Sequence, residues 1–199
     1  MYFEDITDRL KEKIISLSEG EEIFVVAIDG RCASGKTTLA RELSQKLDCN
    51  MIHTDDFYLQ GFQRNERRYA EPGGNLDRER LIKEVLYPLS KGKKPIYRPF
   101  LCQTMDFGDE IRLKDKSIYI IEGSYSCHEE LRNFYGMTVF VTTDRETQQE
   151  RILARNGAEK LSDFLGKWIP LEERYFEAFD VEGKADFVIE TSQLNSHLY

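Results

Sequence analysis

The stretch "GRCASGKT", Gly30 to Thr37, constrains this chain more than any other part of it. It has the pattern GxxxxGK[ST], follows the apolar run "EIFVVAID", and precedes Leu39, Leu43 and Leu47, spaced four apart. A continuous β-branched and aromatic run reads as a strand buried on both faces of a parallel sheet. The leucine spacing reads as an amphipathic helix. A glycine-rich loop between the two aims backbone N–H groups and the positive end of a helix dipole at one point, which suits phosphate. Gly30, Arg31, Cys32, Ala33, Ser34, Gly35, Lys36, Thr37 and Thr38 are therefore the expected nucleotide-binding residues. Gly35 lets the backbone approach, Lys36 places a charge at the β- and γ-phosphates, and the Thr37 hydroxyl is an expected Mg²⁺ ligand. The expected ligand is a nucleoside triphosphate.

The rest of the chain repeats strand and helix signals. Phe3, Ile6, Leu10, Ile14 and Leu17 mark an N-terminal helix within residues 1–20. "CNMIHT", "SIYIIEG", "MTVFVTT" and "DFVIE" read as further strands. Leu81, Ile82, Val85, Leu86 and Leu89 mark a helix stopped around Pro88. "TDRE" reads as a capping box, Thr143 with Glu146, and 161–179 as helix with a restart at Pro170. The alternation gives an α/β chain, a doubly wound parallel sheet of about five strands flanked by helices, and with the GxxxxGK[ST] loop the expected fold is the three-layer P-loop NTPase fold. "PIYRPFL" and "EIRLK", around a turn at "MDFGD", could form a small hairpin. With 199 residues, one domain is expected over 1–199. A net charge of −8 argues against a broad basic surface for nucleic acid. The apolar runs are too short to span a membrane, and the charged start "MYFEDITDRLKEK" does not read as a signal peptide. Four cysteines (Cys32, Cys49, Cys102, Cys127) without metal-ligand spacing suit free thiols and a cytoplasmic setting.

Chemistry enters at "HTDDFYLQG". Ligands of a parallel sheet gather at the carboxyl ends of its strands. If "NMIHT" lies beside the P-loop strand, Asp55 leaves it on the same rim as Lys36, placed to take a proton from an attacking hydroxyl. Asp56 reads as a supporting carboxylate. Glu122 ends "IIEG", where an acid commonly orders Mg²⁺ or its waters, so Thr37, Glu122 and Asp55 are the expected metal set. Arg151 and Arg155 are four apart, hence on one helix face, where they can neutralise a phosphoryl group in transfer. Each signal also has a plainer reading: solvated turn aspartates, a strand-end glutamate, surface arginines. Trp168, Tyr175, Phe176 and Phe179, at helical spacing, read as core. His53 reads as a packed or hydrogen-bonded strand residue, and His128 and His197 have no evident partner. Cys32 lies inside the loop with no basic neighbour but Arg31.

Together, "AIDGRCASGKTTLA", "HTDDFYL", "EGSY" and the arginine helix resemble, in order and spacing, the uridine kinase-like branch of the P-loop kinases, from about Glu22 to Glu190. The resemblance implies ATP and Mg²⁺, and transfer of the γ-phosphate to a hydroxyl of a small molecule, first a uridine- or cytidine-like nucleoside. By it, Asp55 matches the catalytic acid and Tyr58 an aromatic of the acceptor pocket. Asp77 of "GGNLDRERL" matches an aspartate that holds ribose hydroxyls, and Tyr97 of "PIYRPF" a family tyrosine. Glu122 matches the acid of the "EG" strand, and Arg151 and Arg155 begin a lid over 151–165. Segments 55–76 and 91–115 then become acceptor-side loops. The departures lie there. "YRPFLCQT" lacks the histidine that reads a pyrimidine, Arg98 replaces an acid, the lid reads "RILARNG", and "ERRYAEPGG" adds charge. Two alternatives stay open. One is a kinase for an anionic acceptor (sugar phosphate, pantothenate-like or nicotinamide riboside-like) clamped by Arg64, Arg67, Arg68 or Arg98. The other is a non-catalytic nucleotide-binding regulator, although no NKxD guanine-reading motif is present. A homo-oligomer is compatible with either.

Overall fold

The computed structural model of the protein describes residues 3–193. Along the chain come α1 (Phe3–Ser18), β1 (Phe24–Gly30), α2 (Lys36–Leu47), β2 (Asn50–His53), α3 (Glu66–Ala70), α4 (Arg78–Leu81) and α5 (Tyr87–Leu89). Four two-residue strands follow: β3 (Ile96–Tyr97), β4 (Phe100–Leu101), β5 (Asp106–Phe107) and β6 (Ile111–Arg112). Then come β7 (Ile118–Glu122), β8 (Met137–Thr142), α6 (Arg145–Asp163), α7 (Ile169–Phe179) and β9 (Phe187–Glu190).

The five longer strands form one parallel sheet in the order β2–β7–β1–β8–β9. Successive side chains of a strand point to opposite faces, and both faces of β1 are covered. Phe24, Val26 and Ile28 pack with Leu10 and Ile14 of α1 and Leu39 and Leu43 of α2. Val25 and Ala27 join the opposite core, with Leu81, Val85, Leu89 and, from α7, Tyr175 and Phe176. This double burial is why the strand reads as an unbroken apolar run. Glu122 pairs with Ile28 on one side and His53 on the other. The carboxyl ends of β1, β7 and β2 therefore finish level, and the segments leaving them share one rim. No helix among the described residues is long and apolar enough to cross a membrane.

Several local expectations are corrected. Helical structure runs through Pro88 to Leu89, because a π-turn over Ile82–Leu86 precedes the proline, which then sits in the first turn of α5 where its missing N–H is not needed. The cap of α6 is Asp144, whose side chain accepts from Thr147 N; Thr143 instead pairs its hydroxyl with Ser192 at 3.1 Å. The hairpin exists as two nested antiparallel pairs, β3 with β6 and β4 with β5. Its turn is residues 102–105, with Met105 at φ 57°, while Asp106 and Phe107 are strand. Pro170 does restart the helix, after a π-turn over Phe164–Trp168. Trp168 is 37% exposed and not core, whereas Tyr175 and Phe176 are buried. His197 lies outside the described residues.

Candidate active site

The loop after β1 carries the geometry that its glycines allow. Gly30 has φ 139°, and a Cβ there would lie 1.9 Å from Val141 O, so β8 leaves no space for a side chain. Gly35, at φ 97°, caps α2 without a side-chain hydrogen bond, leaving the first N–H groups of that helix open to an anion. Lys36 curls over the loop, its Nζ donating to Gly30 O (2.7 Å) and Arg31 O (2.9 Å). Thr37 Oγ1 is 3.3 Å from both carboxylate oxygens of Glu122. Glu122 is buried and is met by His53 Nδ1 at 2.5 Å. That hydrogen bond, against the effect of burial, raises the His53 pKa above its ordinary value.

The turn Thr54–Phe57 leaves β2 beside this loop. Asp55 is exposed, and its Oδ1 accepts the Tyr58 hydroxyl at 2.9 Å. Asp56 turns the other way. It accepts from Tyr97 at 3.1 Å, burial raises its pKa, and Tyr97 stacks at a tilt on Phe57. A cavity of about 490 Å³ joins the two regions. Its walls include Lys36, Thr37, Glu122, Asp55, Tyr58 and Arg155.

Other expected site residues lie elsewhere among the described residues. The Arg31 side chain leaves the loop for α7, holding Glu173 (2.8 and 3.1 Å) and stacking between Phe140 and Phe176. Arg151 is buried and donates to Ala33 O, Thr191 Oγ1 and Thr191 O, so it braces the loop from behind rather than facing the cavity. Arg155 does face it, just before the break in α6 at Gly157 (φ 82°). Cys32, Ala33 and Gly35 also line the cavity, whereas Ser34 and Thr38 do not. Burial pushes the Cys32 thiol far above its ordinary pKa, which disfavours the thiolate.

Asp77 is not a cavity residue. It is buried and caps α4, accepting from Arg80 N at 3.1 Å. Arg68 is spent on Gly74 O, Leu76 O and Glu79, and Arg98 on Gly108 O and Phe107 O. Arg67 is exposed, and Tyr97 sits behind Asp56. Of the four arginines considered as an anion clamp, Arg64 alone lines the cavity, and it donates to Leu59 O and Cys102 Sγ. A backbone loop folded around a compact guanidinium uses up the very donors that an anion would need.

His128, read as having no evident partner, has them: it accepts from Glu130 N at 3.3 Å and packs on Phe179. Two residues were missed in the sequence. Glu172 of α7 is buried, accepts from Cys32 N (3.0 Å) and Ser124 Oγ (2.8 Å), and lines the cavity. Its signal was the spacing Glu172, Tyr175, Phe176, Phe179, which puts an acid on the buried face of a helix. Asp29, at the end of β1, is fully buried and accepts from Gly30 N, Cys127 N and the Tyr175 hydroxyl. Burial pushes its pKa up to about 6, against those hydrogen bonds. A carboxylate inside an apolar run was its signal.

The chain is similar to known proteins over most of its length. A family model described as an AAA domain matches residues 26–179. Uridine kinase of Ureaplasma urealyticum is 30% identical over 161 residues, covering 71% of this chain and 72% of that one. Uridine-cytidine kinase B of Dictyostelium discoideum is 27% identical, covering 88% and 74%. Mouse uridine-cytidine kinase-like 1 is 30% identical over 75% of this chain, which spans only 29% of that relative's length. Among solved structures, a possible uridine kinase from Bacillus stearothermophilus superposes with a TM-score of 0.74 at 24% identity, covering 95% of this chain and all of that one. That last likeness speaks for the fold.

Proposed function

The chain belongs to the uridine kinase-like branch of the P-loop kinases, and from that premise we propose that it transfers the γ-phosphate of ATP to a hydroxyl of a nucleoside. The observation that carries this reading is the shared cavity: Asp55 and Tyr58 line the same space as Lys36, Thr37 and Glu122. A nucleotide switch has no use for an acceptor-side carboxylate such as Asp55 beside its phosphate site. The anion-clamp alternative is weakened by the engagement of Arg68 and Arg98 with backbone carbonyls.

The loop N–H groups and the open start of α2 hold the phosphates, and Lys36 exchanges its carbonyl partners for phosphate oxygens. The facing hydroxyl of Thr37 and carboxylate of Glu122 are hard oxygen donors that fit Mg²⁺, with His53 orienting Glu122. Held there, Mg²⁺ supplies neutralisation of phosphate charge. Tyr58 fixes Asp55 through Oδ1, leaving Oδ2 for the acceptor hydroxyl. Asp55 takes that proton as the acceptor oxygen bonds to the γ-phosphorus and the bond to the ADP oxygen breaks. Arg155 offsets charge on the transferring group, and Arg151 keeps the loop rigid beneath it. The widely spaced free thiols support a reducing, cytoplasmic setting.

The test is a coupled ADP-release assay with ATP and Mg²⁺ against nucleosides, sugar phosphates and pantothenate. Stimulation by a nucleoside should fall by roughly 10²–10⁴-fold in Asp55→Asn. ATP binding with no acceptor stimulation, unchanged in Asp55→Asn, would establish the regulator reading instead.

A further inference from the structure

Resting on the nucleotide reading of the loop, we propose that Glu172 sets the charge that the nucleotide site accepts. Its carboxylate shares the Cys32 amide with the phosphates, and so selects against ATP that is not complexed with Mg²⁺. Glu172 lines the same cavity as Lys36, Thr37 and Glu122, and it is 5% exposed. One of its oxygens accepts from Cys32 N at 3.0 Å, the other from Ser124 Oγ at 2.8 Å. In a GxxxxGK[ST] loop the backbone N–H groups are the phosphate donors. An anion of the protein itself therefore stands at one of them.

The carboxylate is pinned there. Three residues at the root of the loop are tied to one stretch of α7: Asp29 to Tyr175 at 2.7 Å, Arg31 to Glu173 at 2.8 Å, and Cys32 to Glu172. Ser124, two residues beyond Glu122, holds the same carboxylate from the other side. A charge fixed from two sides does not swing away from a second anion, so the two repel. Opposing charges meet at this point of the loop. After burial, the charge of Glu172 raises the Cys32 pKa, while Lys36 and Arg155 act to lower it. Away from bulk water such repulsion is strong. Lys36 and Arg155 offset part of the phosphate charge, and the Mg²⁺ that suits Thr37 and Glu122 offsets more. Metal-free ATP carries roughly twice the negative charge of its magnesium complex, so Glu172 opposes it more.

Glu172→Gln isolates the charge, because its amide oxygen accepts from Cys32 N and its amide N–H donates to Ser124 Oγ. Isothermal titration with the imido analogue of ATP, in EDTA and in excess Mg²⁺, reads binding without turnover. The metal-free analogue should bind Glu172→Gln at least about tenfold more tightly than wild type. The magnesium complex, with about half the charge, should gain about threefold or less, so the preference for it narrows at least about threefold. Ser124→Ala removes a hydrogen bond but keeps the carboxylate, and its preference should stay within about twofold of wild type. Weaker or unchanged metal-free binding in Glu172→Gln overturns the proposal and makes the residue a brace of the loop. An equal gain for both forms, or the same narrowing in Ser124→Ala, overturns it as well. If Glu172→Gln does not fold, Glu172→Asp decides: retracting the charge from Cys32 N should narrow the preference in the same direction, and no narrowing overturns the proposal. The two readings fail separately. Wild type that binds neither form refutes the nucleotide site, whereas binding without this charge dependence refutes the role of Glu172 alone.

Discussion

Asp29 offers a pH dependence that can be worked out from the structure. Its carboxylate is fully buried at the root of the nucleotide loop, and burial lifts its pKa from 3.8 to about 6 despite three hydrogen bonds and the charge of Lys36. Between those values the folded protein keeps a proton that the unfolded chain has released. Stability from this group is therefore fully present below the unfolded pKa and is lost as pH rises through about 6. At 1.36 kcal/mol per pKa unit the whole effect is about 3 kcal/mol, of which about 2 kcal/mol falls between pH 4.5 and 7. Asp29→Asn removes the titration but keeps the size, so whatever fixed cost the exchange carries is the same at every pH. The variant's stability relative to wild type should thus rise by about 2 kcal/mol from pH 4.5 to pH 7. Urea unfolding followed by circular dichroism at several pH values in that window measures the difference directly. A difference flat to within about 0.5 kcal/mol, or one falling with pH, would refute the raised pKa and the burial that causes it.

Three further outcomes are expected. Asp77→Ala should cost about 1 kcal/mol in a thermal melt, the worth of a helix cap, and leave the acceptor KM unchanged; a rise in that KM would return Asp77 to the acceptor site. Glu122→Gln should raise the Mg²⁺ needed for half-maximal ADP release by about 10–100-fold. By NMR the same change should lower the His53 pKa, since the charged hydrogen bond that raises it is lost. Arg151→Ala should destabilise by about 3 kcal/mol in urea, because Ala33 O and the Thr191 backbone lose a buried charged donor, and ATP affinity should fall with it.

The features legible in the sequence share one property: the pattern that signals them is local. "EIFVVAID", the glycine loop and the leucines of α2 announce a strand, a phosphate cradle and a helix, because burial on two faces, positive φ and helical period each leave a short-range mark. Asp55 was placed on the rim by the premise that its strand, β2, lies beside β1, and that premise is corrected: β7 lies between them. The shared rim survives because β2 and β7 run parallel and end level, His53 against Glu122, while Glu122 pairs with Ile28 of β1.

What failed was the allocation of polar side chains. Asp77 was expected at the ligand by resemblance, Arg68 and Arg98 as part of an alternative anion clamp, and Arg151 by its helix face, yet each is claimed by a helix end or a backbone carbonyl. Trp168 and Glu172 exchanged places in the opposite sense. The aromatic expected in the core faces the cavity, and an acid on a core-facing stripe reaches the loop. The sequence by itself determined the fold, the phosphate loop and the acids of the rim, since strand and helix periods and glycine conformations act within a few residues. Only the tertiary structure decided which charges remain for a ligand. Several of these charges are claimed by groups distant in the chain, as Arg31 is held by Glu173, 142 residues away, and that competition exists only once the elements have packed.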